Sequence, residues 1–304
     1  MPKLLVTGSD GLIGRAVTSL LRERGHIVCG YDLRRPPDEP EYGDITDYRK
    51  LAERVDGCVG IIHLAAVSRV AWGETDPERC RTTNIEGTRN VLRAARASSA
   101  RPWVLFASSR EVYGEPAHLP VTEDSPLRPV NIYGRSKLKA EELVTEFRQT
   151  GLNTAIVRLA NAYGSTEDHD DRVVPAVCRA AAEGAVLHVR GRDHQFDFVH
   201  IQDVAEGMMS LITLLQAEET NLPPVHLVTG CGKSLGELAR LAIEAGGNRS
   251  PLIELPARAF EVHHFVGDPG RAQRLLGWHA AVPLADGVAR LVSAFQQRQP
   301  WAAD

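Results

Sequence analysis

The chain has 304 residues and a net charge of −4, from 35 Lys and Arg against 39 Asp and Glu. This length allows one large core or two lobes that share one, and the balance of charge argues against a nucleic-acid or membrane-surface binder. No apolar run is long enough to span a bilayer, and the first residues lack the layout of a signal peptide, so a cytoplasmic protein is predicted. Five scattered cysteines are expected to be reduced thiols. His263 and His264 lack a third nearby ligand, so no metal site is predicted.

A glycine-rich turn follows the first predicted strand. Residues 3–7 form an apolar run typical of a buried parallel strand, and residues 16–21 carry apolar side chains at helical spacing. The turn and the start of the helix contain Gly8, Gly11, Leu12, Ile13 and Gly14. Glycines allow close backbone approach, and a helix N-terminus offers free N–H groups, so this stretch predicts a pyrophosphate site.

The second predicted strand, residues 26–31, ends in Asp32, roughly 20 residues past the glycine-rich turn. A carboxylate at this place accepts hydrogen bonds from the hydroxyls of an adenosine ribose and repels a 2′-phosphate, which favours NAD as the cofactor. Arg34 and Arg35 follow closely enough to reach a 2′-phosphate, so NADP is the alternative.

Two later stretches add positions around the same ligand. Residues 43–47 are expected to form a loop after a third strand, where Asp44 contacts the adenine amine or the stretch caps the helix that begins at Tyr48. The buried strand at residues 60–66 ends in small side chains, which leave room for a ligand over the sheet. His63 within that strand is interpreted as a core histidine without a chemical role.

The sequence then supplies a candidate proton-transfer group. Tyr133 precedes Lys137 by four residues, so the two side chains lie on the same face of a helix, one turn apart. A neighbouring ammonium lowers the pKa of the phenol, which lets the tyrosine shuttle a proton near neutral pH. Ser108 and Ser109 follow the buried strand at residues 103–107 and place a serine at the same edge of the sheet, with a turn-forming role as the alternative.

These motifs occur in the order that is typical of one family. The chain resembles the extended short-chain dehydrogenases/reductases and, more narrowly, the nucleotide-sugar epimerases and dehydratases, along nearly its whole length. The resemblance rests on Gly8, Gly11, Gly14, Asp32, Gly43, Asp44, the run from His63 to Ala66, the run from Asn84 to Thr88, Ser109, Tyr133 and Lys137. It implies an α/β fold with a doubly wound parallel Rossmann sheet and a smaller C-terminal substrate-binding lobe.

The resemblance also implies an organisation and individual roles. Residues 1–160 form the NAD-binding domain with a return segment at about 196–215, residues 161–304 are mainly the substrate-binding lobe, and the protein is a homodimer. Ser109 polarises the 4-oxygen of a sugar, Tyr133 is the acid/base, and Lys137 holds the nicotinamide ribose and lowers the pKa of the phenol. Further cofactor contacts are expected from Asp44, Ile45, Leu64, Ala65, Ala66 and Asn84.

The second half of the chain continues the alternation of helices and strands. Helices are predicted over residues 173–182, 204–215 and 234–245, the last with Ser234 as its N-cap, and a strand over residues 225–230. No linker, low-complexity tract or internal repeat is seen in the sequence.

The expected substrate contacts depart from the family pattern. They are Arg110, Asn161, Arg190 and Arg258, in addition to Ser109. An aromatic residue is expected near Arg190 and an arginine at Phe196, so the two residue types are exchanged. A guanidinium at position 190 can still stack on a base or bind a phosphate.

The triplet Ser109-Arg110-Glu111 bears on the reaction. In the 4,6-dehydratases of the family the corresponding residues resemble Thr-Asp-Glu, and the Asp is the acid that expels water. Glu111 matches the second acid, but Arg110 stays protonated and cannot replace the first. The leading prediction is therefore an NAD-dependent nucleoside-diphosphate-sugar 4-epimerase that acts through a transient 4-keto sugar. The alternatives are an NAD(P)H-dependent 4-ketosugar reductase, a dehydratase or decarboxylase that uses Glu111, and a non-catalytic dinucleotide-binding protein.

Overall fold

Six parallel strands form the central sheet of the chain, which a computed structural model describes over residues 3–257 and 262–298. In chain order the strands are β1 (Lys3–Thr7), β2 (Ile27–Tyr31), β3 (Gly60–His63), β4 (Trp103–Ser109), β5 (Thr154–Leu159), β6 (Asn161–Tyr163), β7 (Leu187–Arg190), β8 (Gln195–His200), β9 (Val225–Leu227), β10 (Gly232–Ser234), β11 (Leu252–Leu255) and β12 (His264–Phe265). The α-helices are α1 (Leu12–Glu23), α2 (Tyr48–Val55), α3 (Val70–Thr75), α4 (Pro77–Arg81), α5 (Thr88–Ala97), α6 (Ile132–Gln149), α7 (Val173–Glu183), α8 (Ile201–Gln216), α9 (Leu235–Ala245), α10 (Gly270–Leu276) and α11 (Leu284–Arg298).

The central sheet is doubly wound, as predicted. Its strand order is β2-β1-β3-β4-β5-β9, so β2 and β3 pair in parallel with opposite sides of β1. Alternate side chains of β1 enter different cores: Leu4 and Val6 pack with residues of α1 and α8, whereas Leu5 packs with residues of α2, α5 and α6. The winding reverses at β1, and open sheets of this type bind ligands at such a switch point. The glycine-rich turn after β1 lies there.

A further hydrophobic core lies in the C-terminal half of the chain. It is enclosed by a small sheet of β6, β8, β10 and β12, by the β7–β11 pair, and by α7, α9 and α11. Val177, Phe198, Leu238 and Val292 are among its buried side chains. Strand β8 belongs to this small sheet, and α8, which follows it directly, packs on the central sheet. This one segment therefore connects the two parts of the molecule.

The helices predicted in the second half correspond to α7, α8 and α9. Ser234 caps α9 as predicted, because its hydroxyl accepts the Glu237 N–H and the Glu237 carboxylate accepts the Ser234 N–H. The prediction of a strand before residue 43 is wrong. Within the described chain Tyr42 makes an isolated bridge to Asp32, and residues 33–41 form turns. Prolines at 36, 37 and 40 lack the N–H groups that a strand would need.

The helix that contains the run from Asn84 to Thr88 begins differently from an ordinary α-helix. Residues Thr82–Gly87 form a π-helical stretch that leads into α5. Such stretches are rare and often lie at functional sites. No helix in the described residues is long and apolar enough to cross a membrane. All five cysteines are free thiols.

Candidate active site

Close backbone contacts shape the glycine-rich turn after β1. Gly8 has a φ of +72°, and a Cβ on it would lie 2.7 Å from the amide nitrogen of Ala65. A Cβ on Gly14 would lie 2.0 Å from the carbonyl oxygen of Gly8. At Gly11, by contrast, a Cβ would meet that same oxygen at 3.2 Å and no other atom within 4 Å. The turn is therefore tightly packed against the end of β3 and open at Gly11.

The N-terminus of α1 has the features of a diphosphate site. Gly11 is its N-cap and contributes no side-chain cap. The N–H groups of Leu12 and Ile13 lie in the first turn of the helix, where no intrahelical acceptor exists. Such donors, together with the helix dipole, favour an anion. This cradle fits the pyrophosphate of a dinucleotide.

Asp32 directly follows β2, beside the glycine-rich turn. Its carboxylate accepts hydrogen bonds from the backbone N–H groups of Asp10 and Arg34, each at 2.8 Å. Arg35 is ion-paired with the Asp10 carboxylate. Arg34 donates to the Asp10 carbonyl oxygen at 3.0 Å and lies 3.0 Å from the His169 ring nitrogen Nε2. Protein groups thus engage both arginines, which weakens the sequence argument for NADP.

The histidine of β3 is part of a buried hydrogen-bond chain. His63 lies 2.7 Å from the Thr7 hydroxyl through Nδ1 and 3.0 Å from the Thr88 hydroxyl through Nε2. Thr88 itself donates to the Asn84 carbonyl oxygen at 2.7 Å, so it accepts from Nε2–H. Burial, with a smaller effect of Lys137, lowers the pKa of His63 to about 3. The ring is neutral at physiological pH, which agrees with its interpretation as a core histidine.

Asn84, in the π-helical stretch, holds the loop that contains the predicted cofactor positions 64–66. Its Oδ1 accepts from the Val67 N–H at 2.8 Å, and its Nδ2 donates to the Val67 carbonyl oxygen at 3.1 Å and to the Ser136 hydroxyl at 2.9 Å. Because Ser136 lies on α6, this one amide joins the end of β3 to the helix of Tyr133.

The two aspartates of the loop at residues 43–47 accept backbone hydrogen bonds, one within the loop and one from the helix that follows. Asp47 is the N-cap of α2 and accepts the Lys50 N–H at 3.2 Å. Asp44 accepts the Thr46 N–H at 2.8 Å through one carboxylate oxygen. Ile45 is buried. The capping alternative therefore holds for Asp47, while the adenine contact of Asp44 stays a prediction.

The two serines at the end of β4 face opposite sides of the sheet. Ser108 donates to the buried Glu141 carboxylate at 2.5 Å. Ser109 accepts the Glu111 N–H at 3.2 Å, and its hydroxyl lies near enough to the Tyr133 phenol to lower the pKa of that group. The structure therefore brings Ser109, and not Ser108, to the predicted acid/base.

Tyr133 and Lys137 lie on the buried face of α6. The Lys137 ammonium donates to the Ala107 carbonyl oxygen at 2.9 Å and lies 6.0 Å from the centre of the Tyr133 ring. Burial raises the pKa of Tyr133 to about 12, although the Ser109 hydroxyl and the charge of Arg172 oppose the rise. Burial lowers the pKa of Lys137 to about 8. The phenol pKa is thus raised and not lowered as expected, because desolvation outweighs the neighbouring charges.

Arg110 crosses from the end of β4 to the small sheet. Its guanidinium carbon lies 4.6 Å from the ring centre of Phe196 and 5.8 Å from that of Phe265. Nε donates to the Asn161 Oδ1 at 2.9 Å, and Nη2 pairs with Glu111 at 2.9 Å. Nη1 is buried and has no hydrogen-bond partner within the described chain. Arg110 therefore brings a cation to the Phe196 ring and offers one free donor nitrogen.

Two predicted substrate contacts stand apart from this cluster. Arg190 is exposed on β7 and donates to the Pro256 carbonyl oxygen at 3.2 Å. Arg258 lies outside the described residues. No cluster of His, Cys, Asp or Glu that could hold a metal occurs among residues 3–257 and 262–298.

The structure adds residues that the sequence did not single out. Asn131 caps α6 by accepting the Gly134 N–H at 2.7 Å, and its amide donates to the Glu111 Oε2 at 2.7 Å. An asparagine just before a helix is a capping signal, so this residue was readable from the sequence. Phe265 and Arg172 reach the site from β12 and from the loop before α7, and no local pattern points to them.

The class of protein follows from fold and site together. A phosphate cradle at α1 and an acid directly after β2 are characteristic of a Rossmann dinucleotide-binding protein, and the Tyr133–Lys137 pair adds proton transfer. The family model of the NAD dependent epimerase/dehydratase family matches residues 4–223. The chain belongs to this family, and NAD is its cofactor.

Relatives cover nearly the whole chain. A UDP-glucose 4-epimerase of Streptomyces lividans is 30% identical over 302 residues, which cover 91% of either chain. The structure of a UDP-glucose 4-epimerase from Brucella ovis in complex with NAD has a TM-score of 0.87 at 30% identity and covers 97% of this chain and 99% of its own. A dTDP-glucose 4,6-dehydratase from Streptomyces venezuelae with NAD bound has a TM-score of 0.86 at 27% identity and 97% coverage of both chains. The fold is thus shared by both reaction types, and the site has to distinguish them.

Proposed function

We propose that the chain is an NAD-dependent nucleoside-diphosphate-sugar 4-epimerase that acts through a transient 4-keto sugar. The observation that carries the proposal is the set of Ser109, Tyr133 and Lys137 at the sheet edge that holds the phosphate cradle, combined with a Glu111 carboxylate that is engaged by Arg110. The similarity to UDP-glucose 4-epimerases over 91% of the chain supports it.

The residues of the chain move the proton in this reaction. NAD, when bound, supplies the acceptor for the hydride of C4 and returns it to the sugar. Tyr133 takes the proton of the 4-hydroxyl and gives it back after the 4-keto sugar has turned over in the site. Ser109, whose hydroxyl lies near the phenol, polarises the 4-oxygen. Lys137 is charged at neutral pH, and its ammonium, 6.0 Å from the centre of the Tyr133 ring, is the cation that would oppose the effect of burial on the phenol during proton transfer.

The other reactions have less support. A reductase that uses free NADPH would need Arg34 or Arg35 for a 2′-phosphate, and both are bound to Asp10. A dehydratase or decarboxylase would need Glu111 as a base, and both of its carboxylate oxygens are engaged. A non-catalytic binding protein would not need the buried Tyr133–Lys137 pair, whose burial is costly.

The proposal extends to the division of the chain and its assembly. Residues 1–160 bind the cofactor, and most of residues 161–304 bind the sugar nucleotide. Arg110 and Asn161 are the substrate contacts that the geometry favours, with the free Nη1 of Arg110 as a donor. The protein forms a homodimer through α5 and α6 in this proposal, and its location is cytoplasmic. Sedimentation velocity of the purified protein tests the dimer.

A panel of nucleotide sugars tests the reaction. Purified protein is incubated with each sugar, and the products are identified by nuclear magnetic resonance. We expect the C4 epimer, and at least about 100-fold slower turnover for Tyr133→Phe with NAD still bound. Tyr163→Phe is the matched control, because the Tyr163 hydroxyl is buried without a hydrogen-bond partner in the described residues. Exclusive formation of dehydrated or 4-keto product, or full activity of Tyr133→Phe, would overturn the proposal.

A further inference from the structure

Glu111 is a buried carboxylate next to the proton-transfer group. Its side chain is 7% exposed, its N–H donates to Ser109, and its charge acts on the Tyr133 phenol. Oε1 lies 2.9 Å from Arg110 Nη2, and Oε2 accepts from the Asn131 amide at 2.7 Å. Both oxygens are therefore engaged by donors, one of them a cation.

Arg110 is itself held from the opposite side. The side-chain oxygen Oδ1 of Asn161, on β6, accepts the Arg110 Nε–H at 2.9 Å. The neighbouring rings of Phe196 and Phe265 lie next to the Arg110 guanidinium. The Arg110 side chain is 11% exposed. A guanidinium with a planar hydrogen-bonding geometry and two aromatic neighbours has little freedom to leave its carboxylate partner. The ion pair is thus a built feature of the site.

A free carboxylate at this place would endanger the proposed reaction. A 4-keto sugar has an acidified hydrogen at C5, next to the carbonyl, and a hydroxyl at C6, one bond further. A base that takes the C5 proton forms an enolate. The enolate can expel the C6 hydroxyl, which leaves as water when it takes that proton from the carboxylic acid just formed. An epimerase has to hold the same 4-keto sugar without this loss.

We propose that Arg110 determines the outcome of the reaction by holding Glu111 in the ion pair, so that this carboxylate does not take the C5 proton of the 4-keto sugar. The inference rests on the proposed 4-epimerase function. Arg110 acts through Glu111 and is a positioning residue in this respect. When its cation is removed, Oε1 loses its charged partner and is open to a proton, while Asn131 still binds Oε2.

Exchange with heavy water measures this directly. A carboxylate that takes the C5 proton exchanges it with solvent, and deuterium returns to C5. The wild-type protein in heavy water is expected to produce the C4 epimer with hydrogen retained at C5. Arg110→Met, which keeps an unbranched chain against the two phenylalanines, is expected to raise deuterium at C5 per C4 turnover at least about 10-fold. Mass spectrometry of the product also detects loss of water.

Two controls assign the exchange to Glu111. The double variant Arg110→Met/Glu111→Gln is expected to lose the deuterium at C5, because an amide cannot take the proton. Arg240→Met breaks an exposed Arg–Glu pair on α9 and is expected to behave as the wild type. If Arg110→Met does not fold, Arg110→Gln is used in the same way, since its uncharged amide removes the cation and keeps a hydrogen-bond donor.

The outcomes separate the two proposals. A C4 epimer without C5 deuterium in the Arg110 variants overturns the role of Arg110 and leaves the epimerase assignment in place. Deuterium at C5 in the wild type also overturns it, because Glu111 would then act as a base despite the ion pair. Absence of any C4 epimer from the wild type, across the panel of nucleotide sugars, overturns the proposed function itself.

Discussion

At the scale of single residues, burial sets the protonation states of the site. Lys137 keeps its ammonium inside the protein with the Ala107 carbonyl as its hydrogen-bond acceptor and the Phe106 ring 4.9 Å away. This environment lowers its pKa from 10.5 to about 8, so the charged form is present at neutral pH but strained by desolvation. Burying the Lys137 ammonium therefore destabilises the folded protein, although the proposed proton transfer uses this charge.

The pH dependence of stability should reveal this cost. Between pH 8 and pH 10.5 the unfolded chain keeps a proton on Lys137 that the folded chain has released, so the free energy of unfolding rises with pH. Relative to Lys137→Met, which has no group to titrate, we expect the wild type to gain up to about 3 kcal/mol across this window. Urea unfolding of both proteins without NAD measures the difference. Parallel pH profiles of the two proteins would contradict the assignment.

The adjacent residues Ser109 and Arg110 show how far sequence reasoning reaches at this scale. The alternation of side chains along a strand predicts that Ser108 and Ser109 face opposite ways, but not which one meets the phenol. The sequence also shows that Arg110 replaces an acid. The sequence does not show that the Arg110 guanidinium lies against Phe196 and Phe265, because those rings come from strands far along the chain.

At the scale of elements, hydrogen bonds at the N-terminus of α6 hold this helix in place. The Asn131 side chain caps the helix and also binds Glu111, and the Ile132 N–H donates to the Glu74 carboxylate at 2.8 Å. The cap therefore ties the helix that carries Tyr133 to the ion pair that contains Arg110. The N-terminus of this helix is part of the site.

Removing this cap should cost stability and activity together. Asn131→Ala deletes the acceptor for Gly134 and the donor to the buried Glu111, so we expect the free energy of unfolding to fall by about 2 kcal/mol. Ser234→Ala, at the cap of α9, is the matched control and should cost about 1 kcal/mol without changing kcat. Urea denaturation and turnover are measured on both. Equal kcat in the two variants would show that the cap of α6 has no link to the site.

Regular elements were predictable because their signals are local. The glycine-rich turn, the apolar strands and the Ser234 cap depend on neighbouring residues, and the structure contains them. The π-helical stretch at residues 82–87 was not predictable, since its extra residue per turn is stabilised by contacts such as the Asn84 bonds to Val67 and Ser136.

At the scale of the whole molecule, the loop at residues 165–172 crosses from the small sheet to the ends of β1, β2 and β3. Glu167 is ion-paired with Arg15 at the start of α1, and Asp171 is ion-paired with Arg69 after β3. His169 lies against Arg34, beyond Asp32. Charged contacts thus span the edge at which the cofactor cradle lies.

These contacts should slow the release of NAD. Glu167→Gln/Asp171→Asn removes the charges that bind Arg15 and Arg69, and we expect the rate of NAD release to rise about 2- to 10-fold. Salt should speed release from the wild type more than from the variant, since the ion pairs are screened. Stopped-flow displacement of NAD measures both rates. Glu78→Gln, which breaks a surface pair with Arg81, is the control, and the same release rate in all three proteins would contradict the prediction.

The sequence by itself determined the cofactor turn, the position of Asp32 and the Tyr133–Lys137 pair, because each is a short pattern whose spacing sets its geometry, and the order of these motifs along the chain implied the doubly wound fold through the family resemblance. Tertiary structure alone decided that burial raises the pKa of Tyr133 and that Glu111 is bound by Arg110 and Asn131. The reason is physical: desolvation and ion pairing depend on which distant strands enclose a side chain, and that enclosure exists only after the chain has folded.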